Sequence, residues 1–135
     1  MKVNSTEELE KAILRNMRNA MKAVEAKALA DMYDETGDFY TGGEPKQYVR
    51  TGALGDTPRT DGVKVNGNSV SFKAYLDDTH QYTTGKKPSM EQVLTLADKG
   101  SYPGLRPTVG NTGFWERAER KIEKDLNETM KAAFK

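Results

Sequence analysis

Apolar positions in the first third of the chain recur at Leu9, Ile13, Met17, Ala20, Val24 and Ala28, in steps of three or four. That spacing builds one apolar stripe on a helix, widened by Leu14 and Met21, with polar residues on the other side. Ser5-Thr6-Glu7-Glu8 has capping-box spacing at its start, and Glu7 with Lys11 is a favourable i,i+4 pair. Thr36-Gly37 is the expected stop, because glycine accepts the left-handed conformation past a helix end. The predicted helix is about 30 residues or about 45 Å long, so part of it is expected to overhang a small core.

From Val63 the period changes to two. Val63 and Val65 alternate with Lys64, and Val70, Phe72, Ala74 and Leu76 alternate with Ser71, Lys73 and Tyr75. Asn66-Gly67-Asn68-Ser69 between them is a hairpin signal. A turn centred on Gly67-Asn68 sets Val65 opposite Val70 and Val63 opposite Phe72, a better apolar pairing than the register of an Asn66-Gly67 turn. Residues 37–47 and 52–62, rich in glycine and proline, are expected as loops. His80 to Thr84 is a candidate third strand.

Ser89-Met90-Glu91-Gln92 again has capping-box spacing and opens a short helix over Met90, Val93, Leu94 and Ala97, stopped near Gly100. The last helix begins around Thr112. It shows Trp115, Ala118, Ile122, Leu126, Thr129 and Ala133 on one side, with Phe114 and Met130 beside them. Lys121 with Asp125 and Lys124 with Glu128 are expected to support its solvent face. The fold class is therefore α+β: a long N-terminal helix and a C-terminal helix packed on a small antiparallel β-sheet with long Gly-rich loops, in one domain over residues 1–135.

Composition narrows the function. Apolar residues are 36% and charged residues 30%, with a net charge of +1. Residues 5–35 carry five Lys/Arg against seven Asp/Glu, and residues 111–135 carry six against five. That balance argues against DNA binding as the main task. The chain has no cysteine, which excludes disulfides and thiolate metal sites. No apolar run approaches the roughly 20 residues a membrane span needs, and the charged start predicts no secretory signal.

Candidate chemistry is sparse. Asp77, Asp78 and His80 form the one cluster that could hold a divalent ion or support a small hydrolase, and a solvated strand end explains the same residues. Any Ser-His-Asp triad would have to use His80, and no serine lies in a Gly-x-Ser-x-Gly elbow. Gly85-Lys86-Lys87 lacks the spacing of a phosphate loop. Lys64, Lys73, Lys86 and Lys87, with Tyr75, are the alternative reading: a small nucleic-acid-binding surface. No catalytic, cofactor-binding or metal residue is assigned, and the expectation is a protein that is not an enzyme.

Tyr48-Val49-Arg50-Thr51-Gly52-Ala53-Leu54, Tyr82-Thr83-Thr84-Gly85 and Leu105-Arg106-Pro107 occur in order between the terminal helices. This layout resembles the small head–tail joining (neck or tail-completion) proteins of long-tailed bacteriophages, and the pattern runs over almost the whole chain. The resemblance implies a non-enzymatic virion component assembled in the bacterial host cytoplasm. Its implied partners are further copies of itself, as a ring-forming homo-oligomer, and the neighbouring head-completion and tail proteins. Only incidental DNA contact, no membrane and no cofactor are implied. Loops 37–47 and 83–88 are the expected contact surfaces.

Overall fold

The computed structural model describes residues 5–42, 52–80, 89–103 and 110–134. Helix α1 spans Thr6–Phe39, helix α2 Met90–Lys99 and helix α3 Phe114–Ala133. Among the described residues, four three-residue strands lie between α1 and α2: β1 (Pro58–Thr60), β2 (Lys64–Asn66), β3 (Ser69–Ser71) and β4 (Ala74–Leu76). The class is α+β, as the patterning predicts.

Ser5 caps α1 by accepting the Glu8 amide at 3.1 Å, and Glu7 pairs with Lys11 at 3.3 Å. The expected stop at Thr36-Gly37 is wrong: α1 runs on through Gly37 to Phe39. Tertiary packing overrides the weak helix preference of one glycine. Phe39 is buried edge-on against Phe114, with centroids 6.5 Å apart, and that contact requires one more turn. The orphan carbonyls of that turn are satisfied from far along the chain. Asn111 donates its backbone amide to Phe39 O at 3.0 Å and its side-chain amide to Asp38 O at 3.0 Å and to Thr41 Oγ1 at 2.9 Å.

The same corner caps α3. Its N-cap is Gly113, in the left-handed region at φ 77° and with no side chain to offer. Asp98 at the end of α2 supplies the missing acceptor, taking the Trp115 amide at 3.1 Å, while its carbonyl takes the Gly113 amide at 2.7 Å. Helix α2 matches its sequence signature, with a reciprocal Ser89/Gln92 capping box and Gly100 at φ 89° as the stop.

The hairpin adopts the favoured register, with Val65 opposite Val70. It is not one continuous ladder. β2 pairs with β3 and β1 with β4, both antiparallel, and the pairing is interrupted between them. Residues 58–60, expected within a loop, form β1, because Pro58 is fully buried and Asp77 continues the ladder by donating to Thr57 O at 2.7 Å. Val70 turns inward beneath α1, and Val65 stays exposed. The candidate strand at 80–84 lies almost wholly outside the described residues.

The core is thin and runs along α1: Ala20, Val24, Ala28, Met32, Thr36 and Phe39 meet Phe114 and Ala118 of α3, Val70, Leu54, Met90 and Ala97. Small residues at Ala20, Ala28 and Ala118 let the backbones approach. The two long helices run antiparallel, since Asn16 donates to Ala133 O at 2.7 Å near one end and Arg117 meets Glu35 near the other.

Gly37 is helical with open space where a Cβ would stand. Gly37→Ala is therefore expected to stabilise the fold by about 0.5–1 kcal/mol in urea denaturation, whereas a glycine in a left-handed stop would lose stability on the same change. Asn111→Ala, which strips the side-chain bonds at the end of α1, is expected to lower stability by about 1–2 kcal/mol in the same assay.

Candidate functional site

A shallow hollow of about 350 Å³ is lined by Ala53, Asp56, Thr57, Arg59, Asp77, Thr79 and His80. It unites Asp77 and His80 from the sequence cluster and leaves Asp78 outside. Asp77 is already committed to holding the chain beyond β4. Its Oδ1 accepts from the Thr79 hydroxyl at 2.7 Å and the Thr79 amide at 3.0 Å, and its Oδ2 faces Arg59 at 3.6 Å. The Thr79 hydroxyl and amide, with Arg59 beyond, hold its carboxyl below the usual 3.8 against a small burial effect. A carboxylate held ionised in this way is a poor general base near neutral pH. Among the described residues no three His, Cys, Asp or Glu side chains are placed to share a metal ion.

The lysine surface is half occupied by its own neighbours. Lys64 pairs with Asp61 at 3.0 Å, and Asp61 also accepts the Lys73 amide at 2.6 Å. Lys73 sits 5.6 Å over the Tyr75 ring. Arg59 lies opposite Tyr75 in the β1–β4 register and joins that face. Reading residues 52–62 as a loop hid this member. Lys86 and Lys87 lie outside the described residues, as do Tyr48 to Thr51, Tyr82 to Gly85 and Leu105 to Pro107 of the motif series.

The strongest electrostatic feature lies in the α1–α3 seam. Glu35 is 5% exposed and receives Arg117 Nε at 2.9 Å and Lys121 Nζ at 2.8 Å. Burial alone would push its carboxyl up, but hydrogen bonds from Lys121 and Arg117 outweigh that and bring it below the ordinary 4.5. Lys121 thus faces Glu35, not the Asp125 partner expected on a solvent face, because both flank the packed side of α3. Lys124–Glu128 does lie on the surface, at 4.0 Å.

Asp125 instead faces Asp31. Burial first, then the Asp125 carboxyl and Asp34, push Asp31 up from 3.8 to about 6, with Lys121 opposing. Asp31 Oδ2 is buried with no donor, as two ionised carboxylates require; a proton shared between them would supply the missing hydrogen bond. The signal for this seam was present in the sequence as acids one helical step from Ala28 and Met32.

Beyond the seam α1 outruns its partner. α3 ends where Ala133 meets Asn16, and the stripe that α3 covers continues uncovered as Ile13 and Leu9, 39% and 40% exposed. Phe134, at the foot of α3, is also exposed. Among the described residues no helix is long and apolar enough to cross a membrane. No protein-family model, curated protein or solved structure matches the chain.

The seam gives a pH dependence of known sign. Folded Asp31 holds its proton up to about pH 6 and the unfolded chain releases it near 3.8, so the Asp31 contribution to stability is lost as pH rises through that window. Glu35, held below 4.5, contributes in the opposite sense as pH falls below that value. Asp31→Asn is expected to flatten the slope between those values and to raise stability near neutral pH by on the order of 1 kcal/mol, read from denaturation midpoints.

Proposed function

We propose that this chain is a structural virion protein that joins head and tail in a long-tailed bacteriophage, acting as a ring of identical copies through shape and surface rather than catalysis. The resemblance in motif order supplies the family. The observation that carries the reading is the first ten residues of α1, which extend past α3 and keep Leu9 and Ile13 in water.

Most helical stability in proteins comes from packing an apolar face, and these ten residues lack that packing against α3. Leu9 and Ile13 are only 40% and 39% exposed, so each forgoes roughly 0.6–1.2 kcal/mol that full burial against a neighbour would return. The overhang is thus a surface prepared for contact with another virion subunit. Of the expected contact loop 37–47, residues 37–39 belong to α1, Tyr40–Gly42 form a short 3-10 turn, and residues 43–47 lie outside the described residues. The nucleic-acid alternative is weaker, because Lys64 is neutralised by Asp61 and Lys73 is spent on Tyr75.

Negative-stain microscopy and light scattering of the purified protein, alone and with neighbouring head-completion and tail proteins, should reveal a ring or a partner-dependent oligomer. The double change Leu9→Asp, Ile13→Asp should abolish that assembly while lowering monomer stability by only about 1–2 kcal/mol, the cost of weaker helix propensity and lost partial burial. A protein that stays monomeric with every such neighbour contradicts the reading.

A further inference from the structure

The even charge along the chain conceals a segregation between faces. Residues 11–22 of α1 carry Lys11, Arg15, Arg18 and Lys22 and no acid. At 100° per residue these four fall within an arc of about 60° and span about 16 Å of helix. All four are exposed. Lys11 has Glu7 as a partner. Arg15, Arg18 and Lys22 have no ion pair or hydrogen bond among the described residues. The arc points away from α3, because Asn16, Lys27 and Glu35, which reach α3, lie on the opposite side of the helix.

The outer face of α3 has the opposite sign. Glu116, Glu119 and Glu123 are exposed at i, i+3 and i+7, turned away from Arg117, Lys121 and Thr129, which meet α1. Glu116 is bound by Arg120 at 2.6 Å, while Glu119 and Glu123 have no partner among the described residues. The helix pair is thus a slab with a cationic face on α1 and an anionic face on α3.

We propose that successive copies of this chain pack with the cationic face of α1 on one copy against the anionic face of α3 on the next. The inference rests on the ring reading and names the contact that would build the ring. The occupant is a second copy because the two faces complement each other in charge. The faces lie on opposite sides of the slab, so one two-fold contact cannot satisfy both. The contact is heterologous, each copy giving one face and receiving the other, the geometry that generates rings or open filaments. Exposed pairs are individually weak and screened, so the contact depends on salt.

Two variants with reversed faces test it: K11E/R15E/R18E/K22E, which makes both faces anionic, and E119K/E123K, which makes both cationic. Sedimentation velocity at low ionic strength should show the wild type self-associating and dissociating toward the 15.0 kDa monomer in about 1 M salt. Each variant alone should sediment as a monomer with its thermal midpoint essentially unchanged. An equimolar mixture should recover association, since each variant presents the face that the other lacks.

Association of either variant alone, or failure of the mixture to associate, overturns the contact. If the wild type still forms rings in those cases, the ring reading stands and only this contact is lost. Loss of duplex DNA binding in the α1 variant with self-association unchanged would assign the stripe to nucleic acid and likewise overturn the proposal.

Discussion

One buried carboxylate governs how the two long helices meet. Glu35 is removed from water in the α1–α3 seam, near the C-terminal end of α1, and an isolated charge there would cost several kcal/mol. Arg117 and Lys121, one turn apart on α3, both reach it. Sliding α3 by a turn would leave Glu35 with only one of the two cations and turn the other toward Asp31 or solvent. The ion triad therefore favours one register in a seam whose buried apolar residues are Ala20, Ala28 and Ala118 with Val24, Met32, Phe39 and Phe114. Arg117 and Lys121 are each more than a third exposed and each backs up the other, so losing one costs less than breaking a fully buried pair.

With register fixed, the rest of the architecture follows. Phe39 comes opposite Phe114, which draws α1 past Gly37, and the free end of that turn comes within reach of Asn111. At the other end α3 stops short, and the same alignment decides which part of α1 is left without cover. The hairpin lies across another flank of α1, with Val70 inserted and the Lys73–Tyr75 face outward. The exposed stripe and the two charged faces are thus products of one alignment.

Much of this was legible in the residues. The 3.6-residue stripe of α1, the Ser89/Gln92 box, the Gly100 stop and the Val65–Val70 register are local rules acting over short spans, and local rules survive folding. What failed was decided at long range. Gly37 signals a stop unless Phe39 has a distant ring to meet. Residues 58–60 look like a loop until Thr57 and Pro58 find β4. Lys121 and Asp125 satisfy the i,i+4 rule on paper, yet each faces a carboxylate on α1. The exposed stretch at Leu9 and Ile13 was foreseen only as surplus length, since the sequence does not say where α3 will end.

The strap from Gly110 to Gly113 ties two helix termini with contacts more than 70 residues apart in the chain. A ribosome releases α1 early and the strap late. Until residues 111–114 have emerged, the last turn of α1 has neither Asn111 on its carbonyls nor Phe114 beside Phe39. Closure of this corner therefore has to wait until α1, the hairpin and α2 have all been made.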